Sequence, residues 1–452
     1  MPAPYPPGPP PHRPWSILRT LWSLRSLAQD PLGFIGGRFA RYGDLYHVDE
    51  GGGSHLYVVR DPDLVHTVLV TKARSFRKAG GINDRVRPFV GNGLLTSDGD
   101  FWKSQRRKIQ PGFHAQRIGR YGEIFVNQAL ALDLQDGQVV DVGQVMMALT
   151  LRVVCRTLFD HEASGATDEV AAAMEGLRQG ARPGLLPAFV PTKRRRQWRA
   201  AQRSLHGIID GMVAQRRTEG LRGDLLSMLL EIADGEDGMS EQQLRDELVT
   251  LFLAGHETTS HALTWTWYLL SQHPKIRERL DAELDQVVGD RAPTLDDVPR
   301  LVWTDAVLRE AMRLYPPAYV VARVANEPVE LGGYALSEGD QVVVWIWHIH
   351  HDARWFERPE AYEPERFLAP TFPAQAYLPF GAGTRKCIGA GFAMLELRLI
   401  LATLARRFHF TLDPTQTVDV SPRVTLAPKH GMRMRVHRIE RRAPRDGAAA
   451  AP

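Results

Sequence analysis

Two cysteines in 452 residues, Cys155 and Cys387, leave no material for a disulfide framework. No apolar run reaches the length of a membrane span, and no signal-peptide core is present, so a cytoplasmic location is expected. Neither sign of charge is in large excess. The 56 basic and 52 acidic residues leave a formal net charge of +4, which excludes a dedicated nucleic-acid binder but not a local basic patch. The chain shows no internal repeat, and no Gly/Ser linker interrupts residues 15–440, which favours one cooperative unit. With 44% hydrophobic and 24% charged residues, the composition is that of an ordinary soluble globular protein.

Proline is concentrated at the amino terminus, at Pro2, Pro4, Pro6, Pro7, Pro9, Pro10, Pro11 and Pro14. Residues 1–14 therefore read as an extended or disordered leader, residues 15–440 as one domain, and residues 441–452 as a disordered polar tail. Alternating stretches at Asp44–Val48 and His55–Val59 predict strands, and Val329–Trp347 predicts a second strand-rich region. Helical periodicity runs through Ser240–His273, Pro274–Val288, Trp303–Leu314 and Gly391–Arg406. The first of these opens on a capping box, Ser240 with Gln243, and is stopped by Pro274. At 1.5 Å per residue it would be about 50 Å long and cross the whole domain. The predicted class is mainly α with a smaller β region.

Three groups of residues carry chemistry. Phe380-Gly381-Ala382-Gly383-Thr384-Arg385-Lys386-Cys387-Ile388-Gly389 sets a cysteine in a glycine-rich loop. The cationic neighbours Arg385 and Lys386 favour a thiolate, the form that ligates metal. Gly381, Gly383 and Gly389 can take positive φ and let backbone approach a flat ligand, Phe380 can lie against that ligand, and Arg385 can hold an anionic group. Inside the long helix, Ala254-Gly255-His256-Glu257-Thr258-Thr259-Ser260 combines a mid-helix glycine with hydroxyls that compete for backbone carbonyls. By itself that run reads first as a helix-packing site and second as a local opening for a small ligand. Glu310 and Arg313 stand three residues apart on one helix face, and Trp102 and Arg106 four apart on another. Cys155, within an apolar stretch, reads as a buried core thiol. His256, His350 and His351 lack any metal-ligand spacing and read as ordinary polar side chains.

The cysteine loop resembles the haem-binding loop of the cytochrome P-450 superfamily, Phe-x-x-Gly-x-Arg-x-Cys-x-Gly, at all five fixed positions. The Ala254–Thr259 run resembles that family's oxygen-activation segment at every position. Glu310-x-x-Arg313 resembles its Glu-x-x-Arg motif, and Pro364-Glu365-Arg366-Phe367 resembles the segment that adds a third member, Arg366. His351-Asp352 and Trp355 match the spacing before that segment, so the resemblance covers nearly the whole chain.

The resemblance implies a single cytochrome P-450-type fold with a long central helix crossing the haem. It implies heme b with Cys387 as axial thiolate to iron. Trp102, Arg106, Arg323 and Arg385 become cofactor-binding residues toward the propionates, with Phe380 beside the ring. Glu257 and Thr258 become the catalytic acid–alcohol pair that relays protons during oxygen activation. Glu310, Arg313 and Arg366 become a structural triad that locks the cysteine loop. The implied activity is a haem-thiolate monooxygenase that inserts one atom of O2 into a C–H bond of a lipophilic substrate, a carotenoid, fatty acid or terpenoid. The rival class is a haem-thiolate peroxygenase or isomerase not using O2, in which the acid–alcohol pair is usually missing. A gas-sensing module would need no proton relay.

No flavin or iron–sulfur segment is present, so electrons are expected from an external ferredoxin or flavodoxin with its NAD(P)H reductase. Lys103, Arg107, Lys108, Lys386 and Arg398 form the candidate docking patch. Leu95, Ala254, Val320 and Leu426 are pocket-lining candidates by position. The apolar stretch Gly184–Pro191 beside Lys193-Arg194-Arg195-Arg196 has two readings, a pocket roof that takes substrate from a membrane surface and a plain amphipathic helix junction.

Overall fold

The computed structural model describes residues 5–10, 23, 25–51, 53–78, 87, 88, 90–158, 192–235 and 238–439. The expected pocket roof at 184–191 and the tail at 441–452 lie outside the described residues, as do the side chains of Arg194 and Arg195.

The organising element is the helix Glu241–Gln272, within one residue of the predicted bounds at either end. Both halves of the capping box form: Ser240 Oγ accepts from the Gln243 amide at 3.2 Å, and Gln243 Oε1 accepts from the Ser240 amide at 2.8 Å. At 32 residues it spans about 48 Å. It is buried nearly all round, with Phe252, Leu263, Trp265 and Trp267 inside, as expected of a helix through the middle of a large core. Val142–Leu158, Val302–Leu314 and Ala390–Ala405 pack against it. Gly255 permits one close approach, since a Cβ there would stand 3.1 Å from Val154 Cγ2.

The β region is a five-stranded mixed sheet in the order Leu45–Gly51, Ser54–Val59, Gln341–Val344, Val321–Ala325, Phe76–Arg77. Its apolar face, with Tyr57, Val59, Val342 and Val344, forms a second core distinct from the helical one. The strand-rich region ends earlier than predicted: Ile346 and Trp347 belong to the short helix Ile346–His350. Within the leader, the Pro7 carbonyl accepts the His47 amide at 3.0 Å and the Tyr5 ring stacks on His47. A proline segment has no ladder donors to give, but its carbonyls still accept from a strand edge. No described helix is long and apolar enough to cross a membrane.

Candidate active site

The cysteine loop enters the helix Ala390–Ala405 directly after Cys387, and its turn is closed by the Cys387 amide donating to the Phe380 carbonyl at 3.0 Å. Gly383 has φ +69°, and a Cβ there would meet the Leu69 carbonyl oxygen, so only glycine fits. Gly389 differs from the expectation. Its φ of −88° needs no glycine, and it serves as the N-cap of the following helix.

Cys387 touches accessible space, yet burial pushes its thiol up from the ordinary value, opposed by the Gly389 amide, Arg106 and Lys386. The same holds for Lys78, which is half-exposed yet pushed down to about 7, mainly by burial and then by Arg323 and Arg385. Side chains that are both accessible and desolvated line an enclosed cleft rather than an outer surface. Arg385 is not the cation that acts on the sulfur. It lies 3.9 Å from the centre of the Trp102 ring, donates to the Ser97 carbonyl at 2.8 Å and pairs with Asp98.

Arg323 and Arg385 are mutually repelling neighbours. Burial and then this repulsion lower Arg323 to about 10, and burial likewise lowers Arg385 and Arg106. Arg106 joins the group through Trp102, 5.7 Å from its ring centre, and through its proximity to Cys387. Asp98 offsets only part of this charge, so Lys78, Arg106, Arg323 and Arg385 suit a group that carries more than one negative charge. Lys78 had no signal in the sequence. Phe380 is half-buried and packs against the helical core beside the loop.

The central helix is open at one place. Ala254 is exposed, and Glu257 and Thr258 are half-exposed, while the turns on either side are buried. The helix remains α through this stretch, with the Thr258 and Thr259 hydroxyls donating back to the Ala254 and Gly255 carbonyls at 2.8 and 3.0 Å. The loop and the opening belong to one region, because the helix after Cys387 places the fully buried Glu396 beside Thr259. Burial raises the Glu396 carboxyl well above its usual range. Of the pocket-lining candidates, Leu95 and Ala254 are exposed and Val320 is half-buried. Leu426 is fully buried in a third small core with Phe39 and Tyr46.

The triad is assembled and buried. Arg313 grips both Glu310 oxygens at 2.7 Å with both side chains at 0% exposure, and Arg366 reaches Glu310 at 3.3 Å. Burial pushes the Glu310 carboxyl up, opposed by the two guanidiniums. Arg313 also donates to the carbonyls of His350, Pro359 and Ala361. His350 extends the network: its Nδ1 donates to the Arg313 carbonyl at 3.1 Å, and its Nε2 accepts from the Leu378 amide at 2.9 Å. Leu378 lies two residues before Phe380, so the triad reaches the cysteine loop through a neutral imidazole. His256 is likewise spent on the Phe252 carbonyl. Among the described residues no His, Cys, Asp or Glu cluster forms a metal site of three or more.

The sequence model described as Cytochrome P450 matches residues 7–433. The chain belongs to the cytochrome P450 family. It is similar to cyclooctatin synthase of Streptomyces melanosporofaciens, 38% identical over 88% of this chain and 90% of the relative. It is 34% identical to pentalenene oxygenase of Streptomyces avermitilis over 92% and 94% of the two chains. It is 30% identical to LUTEIN DEFICIENT 5 of Arabidopsis thaliana over 88% and 72%. Membership makes this P450 a monooxygenase, an oxidoreductase that incorporates oxygen, and implies a haem-thiolate cofactor. The residues present fit that group, with one accessible cysteine at the cleft and four cations for a dianionic edge.

Proposed function

We propose that this P450 oxygenates a C–H bond of an isoprenoid substrate, a terpenoid or carotenoid, with electrons from a separate acidic ferredoxin or flavodoxin and its NAD(P)H reductase. Bound through the Cys387 thiolate, which would donate electron density to it, haem would supply the oxidising chemistry. Arg106, Arg323, Arg385 and Lys78 would neutralise its carboxylates, with Trp102 packed against Arg106 and Arg385 and Phe380 beside the haem ring. Glu257 and Thr258 move protons at the opening of the central helix, where Thr258 Oγ1, its own proton given to Ala254, offers lone pairs to a donor. Glu310, Arg313, Arg366 and His350 hold the loop in place.

The observation that carries this reading is the open face at Ala254, Glu257 and Thr258 in a helix otherwise buried. The isoprenoid choice is supported by relatives named for cyclooctat-9-en-7-ol, pentalenene and lutein; no relative named here points to a fatty acid. Docking of the electron donor is supported by Lys103, Arg107 and Lys386, all exposed. Arg398 does not belong with them, because Asp305 engages it.

Spectral titration with geranylgeraniol, β-carotene and palmitic acid, followed by turnover under labelled dioxygen, tests the reading. Isoprenoids are expected to give the low- to high-spin shift and a product carrying one labelled oxygen. A shift with palmitic acid alone would overturn the substrate class, and unlabelled product would overturn the use of O2.

A further inference from the structure

The Glu257 carboxylate is held from outside its own helix. Its Oε1 accepts the hydroxyl proton of Thr425 at 2.8 Å, from 168 residues further along the chain. Thr425 sits at the tip of the hairpin formed by Val420–Pro422 and Leu426–Pro428. That tip is fixed by four further bonds. The Tyr319 hydroxyl donates to the Arg423 carbonyl at 2.7 Å, and the Arg423 amide donates to the Thr425 carbonyl at 3.2 Å. The Leu426 amide donates to the Pro317 carbonyl at 3.1 Å, and Trp265 Nε1 donates to the Leu426 carbonyl at 3.0 Å. Trp265 lies on the same helix as Glu257 and is itself clamped by a stacked Tyr315 ring, 4.0 Å away at 6°. The hairpin tip and the central helix are thus joined at two points, one backbone and one catalytic. A β-branched side chain on so constrained a tip has little freedom left to lose when its hydroxyl meets the carboxylate.

We propose that Thr425 is a positioning residue for proton delivery: it holds Glu257 by Oε1 and leaves Oε2 to exchange protons with Thr258 and solvent. This rests on the reading of Glu257 and Thr258 as the relay pair. A hydrogen bond from a hydroxyl to a carboxylate is directional and stronger than a neutral one. Without it the carboxylate can swing among rotamers, and the fraction of encounters in which it stands ready falls. The hairpin would remain anchored by Trp265 and Pro317, so the fold is not expected to change.

The test uses the holoenzyme with geranylgeraniol as substrate and compares Thr425→Val, Thr425→Ser and Thr258→Ala. Difference infrared spectra, with Glu257→Gln to assign the band, read the Glu257 carboxylate directly. The expected result for Thr425→Val is a displaced band and a several-fold fall in product per NADH, with more peroxide and an unchanged spectral dissociation constant. Thr425→Ser is expected to restore both band and coupling, which a purely packing role would not do. Thr425→Ala replaces the valine variant should that one not fold. An unmoved band, or parental coupling in Thr425→Val while Thr258→Ala uncouples, overturns the role of Thr425 alone. Parental coupling in Thr258→Ala overturns the relay reading itself, and this inference with it.

Discussion

The Arg385 guanidinium carbon stands 3.9 Å from the centre of the Trp102 ring, which joins the cysteine loop to the helix Gly99–Ile109. A desolvated cation over an indole gains on the order of 2 kcal/mol. The contact turns Arg385 away from the sulfur, on which Arg106 and Lys386 act instead. It also sets Arg385 against Arg323 and Lys78, a repulsion that a dianionic ligand would relieve.

From that relief follows a prediction about haem retention. Lys78→Met and Arg323→Leu are each expected to speed haem transfer to an acceptor protein several-fold, because each removes one cation from the cradle. Release at the parental rate from Lys78→Met would exclude Lys78 from it.

The two cysteines should behave oppositely. Cys155 is 1% exposed, and burial pushes its thiol up to about 12, so it is an inert core group. Cys155→Ala is expected to keep the red-shifted carbon monoxide spectrum of thiolate ligation, and Cys387→Ala to lose it. Retention of that spectrum by both would refute Cys387 as the ligand.

Glu310→Ala strips Arg313 of its only carboxylate partner in the triad while leaving the guanidinium buried at 0% exposure. Breaking such a pair costs about 3–5 kcal/mol. The expected outcome is a sharply lower unfolding midpoint, and in whatever protein accumulates, a weaker thiolate spectrum, since His350 and Leu378 lose their anchor. Parental stability by calorimetry would show that the three backbone carbonyls alone satisfy Arg313.

What the sequence made legible was local. The cysteine loop, the Ser240–Gln243 cap and the Glu310–Arg313 pair each place their chemistry within a few residues, so spacing carries the information. Lys78 and Thr425 carry no such pattern. A lone lysine or threonine acquires its role only when a chain segment more than a hundred residues away arrives beside it, as Thr425 does at Glu257. The direction of Arg385 was equally hidden, because adjacency to Cys387 in sequence does not say which way a long side chain turns. The role of His350 follows from the Leu378 amide, a backbone group with no sequence signature.

Glu247 supplies a prediction in pH. It is 1% exposed, accepts from the Leu94 amide at 2.8 Å and holds the segment that carries Leu95. Burial, reinforced by Asp246 and opposed by the Leu94 amide, raises it from 4.5 to about 7. With its folded value raised, the native state binds the proton more tightly than the unfolded chain does. Its stabilising contribution is therefore complete below about pH 4.5 and is lost as pH rises to about 7, a change of about 3 kcal/mol. Glu247→Gln should flatten the fall in unfolding free energy between about pH 4.5 and 7, superimposed on the other titrating groups. An unchanged slope in calorimetry would place the titration elsewhere.

The last prediction concerns the electron donor. Lys103 and Arg107 are exposed one turn apart on Gly99–Ile109, the helix whose opposite side carries the buried Trp102 toward Arg385. Lys103 is paired with Asp100, but both ends of that pair are exposed, so water and salt screen it and it scarcely competes with a larger acidic partner. Lys386 adds a third exposed charge next to Cys387 and is best left unaltered, because it acts on the sulfur. Electrostatic attraction of an acidic partner raises the on-rate and fades as the Debye length falls below about 10 Å. Arg107→Glu with Lys103→Glu should slow reduction by an acidic ferredoxin about tenfold at low ionic strength. The difference from the parent should shrink steadily with added salt, and the geranylgeraniol dissociation constant should not change. Equal reduction rates in parent and variant at low salt would move the docking site away from this helix.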